Sequence, residues 1–172
     1  MDAAITIALN AFALRSPAWS ALSVFLASGL LWVLIGFGAM VVTRLPAASR
    51  LSQVWFIAAS VVISYGCSQL IGWLAFRARP FVTHPAVTQL IARDAADKSF
   101  PSDHATIAFA FALPLLAATP SLWMRMVLVV LMVLIALGRV LVGVHYVSDV
   151  AAGALLAAGV WMLLRWVRSS MA

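Results

Sequence analysis

The run LWMRMVLVVLMVLIALGRVLV, residues 122–142, decides the class of fold. Between Arg125 and Arg139 it carries no charged side chain, and it reaches the ~20 mainly apolar residues that a bilayer crossing requires. Working outward, four more segments read the same way: about Trp19–Val42, Val54–Phe76, Ser102–Ala118 and Val147–Trp166. The Ser102–Ala118 segment is short, and Pro114 is expected to kink it. Residues 3–14 place Ile5, Leu9 and Phe12 on one helical face and suggest a short helix lying on the membrane surface. The expected fold is an all-α membrane bundle of about five transmembrane helices plus this interfacial helix, forming one domain over residues 1–172.

Composition agrees. Of 172 residues, 65% are hydrophobic and 9% charged, against about a quarter charged in a soluble domain. Glutamate is absent and Lys98 is the only lysine, so the chain lacks the polar groups to cover itself in water. The net charge of +6 comes from arginines scattered between apolar runs, not from a basic stripe on a polar face, and nucleic acid is not an expected partner. The single cysteine, Cys67, excludes an internal disulfide and a multi-cysteine metal site. Trp19, Trp55, Trp123 and Trp166 lie near segment ends, as in an interfacial aromatic belt.

Five crossings put the N-terminus, the 77–101 connection and the 139–146 connection on one side. The other side holds Arg44, Arg50, Arg125, Arg165 and Arg168 with no acidic residue, and reads as cytoplasmic. The first side carries as many basic residues, so this orientation depends on some of its arginines, Arg79 and Arg139 above all, having a chemical task.

Three polar clusters fall on that first side: Arg77-Ala78-Arg79-Pro80, Pro101-Ser102-Asp103-His104, and Arg139 through His145 to Asp149. Ser102 is a good helix N-cap, and Asp103 suits the first turn. The free N–H groups there make an anion site, beside which His104 is placed to give a proton. His145 and Asp149 are four residues apart, so on one helix Asp149 can accept from one imidazole nitrogen and leave the other free to attack. Arg139 precedes His145 by six residues, the wrong spacing for one helix face, so a break is expected near Gly143. Arginine forks suit phosphate oxygens and their transition-state charge. Together these groups describe phosphoryl transfer through a histidine, with positive charge supplied by arginine; no cofactor and no metal are expected.

At these residues the chain resembles the type 2 phosphatidic acid phosphatase superfamily, which also includes vanadium haloperoxidases. Its pattern is a Lys, six residues, then Arg-Pro; then Pro-Ser-Gly-His; then Ser-Arg, five residues, His, three residues, Asp. Arg79-Pro80, Pro101-Ser102-Asp103-His104 and Gly138-Arg139 with His145 and Asp149 match in order and spacing. The resemblance implies His145 as nucleophile, Asp149 as its orienting partner, His104 as general acid, and Arg79, Ser102 and Arg139 as phosphate ligands. The chain departs from the pattern in three places: Gly72 stands at the lysine position, Asp103 replaces glycine and Gly138 replaces serine. Arg77 or Lys98 is a candidate for the missing cation, and Asp103 is a further candidate in the site. The Arg-Pro-Phe and Ser99-to-His104 runs are most similar to bacterial undecaprenyl-diphosphate phosphatases. This implies a multi-pass protein of the bacterial inner membrane, with its site facing the periplasm or exterior and a lipid phosphate or diphosphate as substrate.

The same motifs also suit phosphatidylglycerophosphate, phosphatidate or a lipid A phosphate, since each presents phosphate at one depth. A lipid transporter would require polar residues through the membrane, and the polar clusters here sit at one face. An inactive scaffold is the reading left open by Gly72. His84, beside Pro85, reads as an interfacial residue, and Arg93, Asp94, Asp97 and Lys98 read as a solvated loop, with Lys98 the first candidate for an exception.

Overall fold

The computed structural model describes residues 1–170. All secondary structure among them is helical: α1 (Asp2–Ala13), α2 (Pro17–Val24), a π-helical turn (Phe25–Gly29), α3 (Leu30–Thr43), α4 (Ala47–Leu74), the short α5 (Pro80–Thr83), α6 (Asp103–Ala118), α7 (Leu122–Leu141) and α8 (Val147–Ser170). α2, the π-turn and α3 form one crossing, Pro17–Thr43. It opens on a clear start signal, with Pro17 at the first helical position and the Ser16 hydroxyl accepting from the Trp19 amide at 3.3 Å.

Among the described residues, four helices are, by length and composition, long and apolar enough to cross a membrane: Pro17–Thr43, Ala47–Leu74, Leu122–Leu141 and Val147–Ser170. The third expected span, about Ser102–Ala118, forms as the helix Asp103–Ala118 of 16 residues, ~24 Å at 1.5 Å per residue. It runs from the His104 end of the bundle to the opposite end as its inner helix, packed against α4, α7, α8 and α3. Its helix continues through Pro114, whose carbonyl accepts from Gln53 Nε2 at 3.0 Å.

Packing follows side-chain size. α6 turns Ala105, Ala108, Ala110 and Ala112 inward, all fully buried. The buried face of α4 reads Gln53, Ile57, Ser60, Ser64, Ser68, Gly72, at helical spacing. In lipid, small faces such as these let backbones approach where hydrophobicity gives no drive between helices. The large apolar core lies between α3, α6 and α7, with Leu34, Leu115, Leu128 and Ile135 sealed inside. Outward, Trp32, Trp55, Trp73, Leu74, Leu155 and Trp166 are exposed, as suits a lipid-facing surface.

α1 forms as expected, but its buried face is Thr6, Asn10 and Ala13, whereas Ile5 is exposed. The reason is a hydrogen-bond demand. Asn10 Nδ2 donates to the Thr88 and Leu141 carbonyls at 3.0 and 2.9 Å, and Asn10 Oδ1 accepts from the Thr88 amide at 2.8 Å. One buried amide thus ties α1, the end of α7 and the long α5–α6 connection together at one end of the bundle.

Candidate active site

The three polar clusters meet at that end. Tyr65, Arg79, Arg93, Asp103, His104, Ile107, Arg139 and His145 line one cavity of about 260 Å³. A larger cavity at the opposite end, near Arg165 and Arg168, contains none of these groups.

The α7–α8 junction supplies the center. α7 ends at Leu141, and Gly143 adopts φ +75°, the break the sequence predicts. That turn lets Arg139, in the last turn of α7, and His145, just before α8, face the same cavity despite their six-residue separation. Arg139 is 1% exposed and donates from Nη1 to the Ala27 carbonyl at 3.2 Å, inside the π-turn. A Cβ at Gly138 would lie 2.6 Å from the Ala27 nitrogen, so the glycine that replaces the family serine lets the π-turn seat against α7.

His145 is oriented differently from expectation. Its Nδ1 lies 3.8 Å from Asp149 Oδ2, beyond hydrogen-bond range, but 2.8 Å from the Ser99 carbonyl. A carbonyl only accepts, so Nδ1 carries the hydrogen, and Nε2 is left with its lone pair directed to the cavity. Arg79 Nη1 is 3.5 Å from Nε2. Asp149 acts one step back: it accepts from the Ser99 hydroxyl and from the Tyr146 amide at 2.8 Å, holding both the residue that orients His145 and the turn that carries it. Burial pushes the His145 pKa down to about 4, with the charge of Asp149 opposing and Arg139 and Arg79 reinforcing.

Arg79 caps the N-terminus of α5, where Pro80 fixes the entry of the short helix. It donates to the Val144 carbonyl at 3.1 Å and lies 3.9 Å from Asp97. Ser102 stands at the N-cap position of α6, yet its hydroxyl makes no capping bond; its amide donates to the Asp149 carbonyl at 3.0 Å. Six buried side-chain polar atoms have no hydrogen-bond partner among the described residues. Three of them are Arg79 Nε, Ser102 Oγ and Arg139 Nε, the three residues that the motif resemblance marks as phosphate ligands.

Two other candidates are placed elsewhere. Arg77 is committed: it donates to Asp149 Oδ1 at 2.8 Å, to Asp2 Oδ2 at 2.9 Å and to Ser148 Oγ at 2.7 Å, and it lies 3.7 Å over the Tyr146 ring. It lies outside the cavity wall and braces Asp149. Lys98 also lies outside the wall and pairs with Asp103 at 2.7 Å. Arg93 lies exposed in the loop, as the sequence suggests, and also lines the cavity; its guanidinium makes no hydrogen bond or ion pair among the described residues. Ser99 and Arg93 are the contributions that motif reading misses. Ser99 acts partly through a backbone carbonyl, which no side-chain pattern reports. Arg93 belongs to no spaced motif, and only its place in a basic loop beside two motifs hinted at a role.

With this geometry in view, comparison with known proteins is direct. The model of the PAP2 superfamily matches residues 53–171. Escherichia coli YbjG, a provisionally named undecaprenyl-diphosphatase, is 36% identical over 147 residues, covering 86% of this chain and 72% of that protein. A decaprenylphosphoryl-5-phosphoribose phosphatase of Mycobacterium tuberculosis is 40% identical over 115 residues, 66% of this chain and 61% of that one. The crystal structure of Aquifex aeolicus LpxE superposes with a TM-score of 0.72 at 20% identity, covering 94% of this chain and 92% of that one; at that identity it speaks for the fold alone. The matched length, the order of the three motifs and their convergence on one cavity make this chain an integral membrane member of the PAP2 superfamily.

Proposed function

We propose that this protein is a lipid phosphatase that hydrolyses an isoprenoid diphosphate, of the undecaprenyl type, to the monophosphate and phosphate. The observation that carries the reading is the set of buried, unpartnered groups on Arg79, Ser102 and Arg139 beside a histidine whose Nε2 accepts only a long contact from Arg79 at 3.5 Å. A phosphate group satisfies those donors, and their positive charge matches what develops on the equatorial oxygens in phosphoryl transfer.

His145 Nε2 attacks the terminal phosphorus, forming an N–P bond as the bridging P–O bond breaks. His104 delivers a proton to the departing oxygen of the lipid phosphate. His104 then takes a proton from water, whose oxygen attacks the phosphohistidine, breaks the N–P bond and releases phosphate. Asp149, through Ser99 and the Tyr146 amide, keeps the imidazole in the Nδ1–H tautomer during both steps. Arg93, unpaired at the cavity wall, supplies a further cation for the second phosphate of a diphosphate. Prenyl-linked substrates in the names of two relatives support the same class. Tyr65 and Ile107 give the cavity an apolar margin toward the lipid tail. The arginine-rich far side, with no acid to offset it, supports an orientation with the site facing the periplasm or exterior.

The test is phosphate release in detergent with EDTA present, from undecaprenyl diphosphate, undecaprenyl monophosphate, phosphatidylglycerophosphate and phosphatidate. We expect the diphosphate to be preferred, and His104→Ala and His145→Ala to abolish release. Arg93→Ala should raise KM for the diphosphate more than for a monophosphate. Phosphoenzyme trapped at wild-type level in His145→Ala would overturn the mechanism. Preference for a phospholipid would overturn the substrate.

A further inference from the structure

The chain has one lysine, and its course is unusual. Lys98 leaves the α5–α6 connection and lies across Gly72 of α4, so that a Cβ built there would sit 1.9 Å from Lys98 Cδ and 2.6 Å from Cε. Its ammonium ends 2.7 Å from Asp103 Oδ1, 3.2 Å from the Pro101 carbonyl and 3.4 Å from Ser68 Oγ. The Ser68 hydroxyl donates to the same carboxylate oxygen at 2.7 Å. The Lys98 side chain is 14% exposed and that of Asp103 34%. Asp103 itself lines the cavity beside His104.

A carboxylate in the wall of a cavity that receives phosphate opposes binding by like-charge repulsion, and strongly so where water is scarce. Lys98 places a fixed positive charge at contact distance, which cancels the field of the Asp103 carboxylate. Only a glycine at 72 leaves room for the four-carbon stem to reach that point. We propose that Lys98 is a positioning residue that neutralises Asp103, and that Gly72 is the gap through which a loop lysine delivers this charge to the active site. The inference rests on the phosphate-binding reading of the cavity, and it makes the departures at positions 72 and 103 a single compensated arrangement.

The experiment measures kcat and KM for the diphosphate, together with thermal stabilisation by inorganic phosphate, in Lys98→Met, Asp103→Asn and the double variant. Lys98→Met keeps the stem and removes the charge; it should weaken phosphate binding and raise KM roughly tenfold or more, with a smaller change in kcat. Asp103→Asn added to it should restore phosphate binding most of the way, and Asp103→Asn alone should tighten it. A double variant as weak as Lys98→Met would overturn the proposal, since Lys98 would then act on phosphate or on folding directly. A second pair guards against loss of fold: Gly72→Lys alone should impair the enzyme, because two side chains need one space, whereas Gly72→Lys with Lys98→Ala should recover phosphate binding. Failure of that pair to recover, in protein that melts as wild type, also overturns it. Stabilisation by inorganic phosphate remains readable if no lipid is hydrolysed, so failure of the functional reading and failure of this one are distinct results.

Discussion

Gly143→Ala isolates the geometry on which the site depends. The residue sits at φ +75°, where an L side chain costs about 1–2 kcal/mol. A Cβ there would lie 2.7 Å from the Thr88 carbonyl oxygen, 2.8 Å from Val87 Cγ1 and 3.0 Å from Asn10 Nδ2. The first is backbone, and it is already held by Asn10, so relief requires moving the connection or α1. Overpacking of this kind costs about 1–3 kcal/mol. The sum, about 2–5 kcal/mol, is a large share of the 5–15 kcal/mol typical of a domain. Because His145 follows two residues later, a displacement near 1 Å is expected to reduce kcat on the order of 100-fold. The assay is a thermal melt in detergent paired with turnover of the diphosphate. Gly66→Ala and Gly159→Ala serve as controls: each is a helical glycine at which an added Cβ would meet nothing within 4 Å, and alanine there should be neutral or stabilising by up to ~1 kcal/mol. A Gly143→Ala protein that melts and turns over as wild type would refute the claim that this turn holds Arg139 and His145 together.

The remaining predictions concern His145 and the Ser99–Asp149 pair behind it. Burial holds the folded-state pKa of His145 down to about 4, below the unfolded value of about 6.5, so the unfolded chain binds the extra proton first. The stability contributed by neutral His145 is therefore complete above about pH 6.5 and is lost as pH falls toward 4, at up to about 1.4 kcal/mol per unit. A stability–pH slope in that window that is unchanged in His145→Gln would contradict this, as would an acid limb of kcat/KM near 6.5 in place of one near 4. Ser99→Ala removes a buried donor to Asp149, worth about 1.5–3 kcal/mol for a charged acceptor. It should lower kcat roughly 10- to 100-fold with little change in KM, and Ser99→Thr should recover most of it; wild-type kcat in Ser99→Ala would show that Asp149 does not work through this hydroxyl.

Much of this protein is legible in its sequence, because lipid imposes local rules. A helix satisfies its own backbone, so a mainly apolar run such as residues 122–142 specifies a crossing without reference to the rest of the chain. The break at Gly143 is likewise local and appears in the structure, whereas the four-residue spacing of His145 and Asp149 brings them only to 3.8 Å. What only the tertiary structure decided are contacts between segments far apart in the chain. That Asp103–Ala118 is the enclosed helix depended on which helices surround it. Whether Asp149 touches His145 depended on the Ser99 carbonyl, brought in from 46 residues away. Lys98 fills the space over Gly72, Arg77 is taken by Asp2 and Asp149, and Arg93 turns into the cavity. Each of these is a competition among several possible partners for one charged or polar group, and it is resolved by distance and burial, which exist only once the bundle has closed.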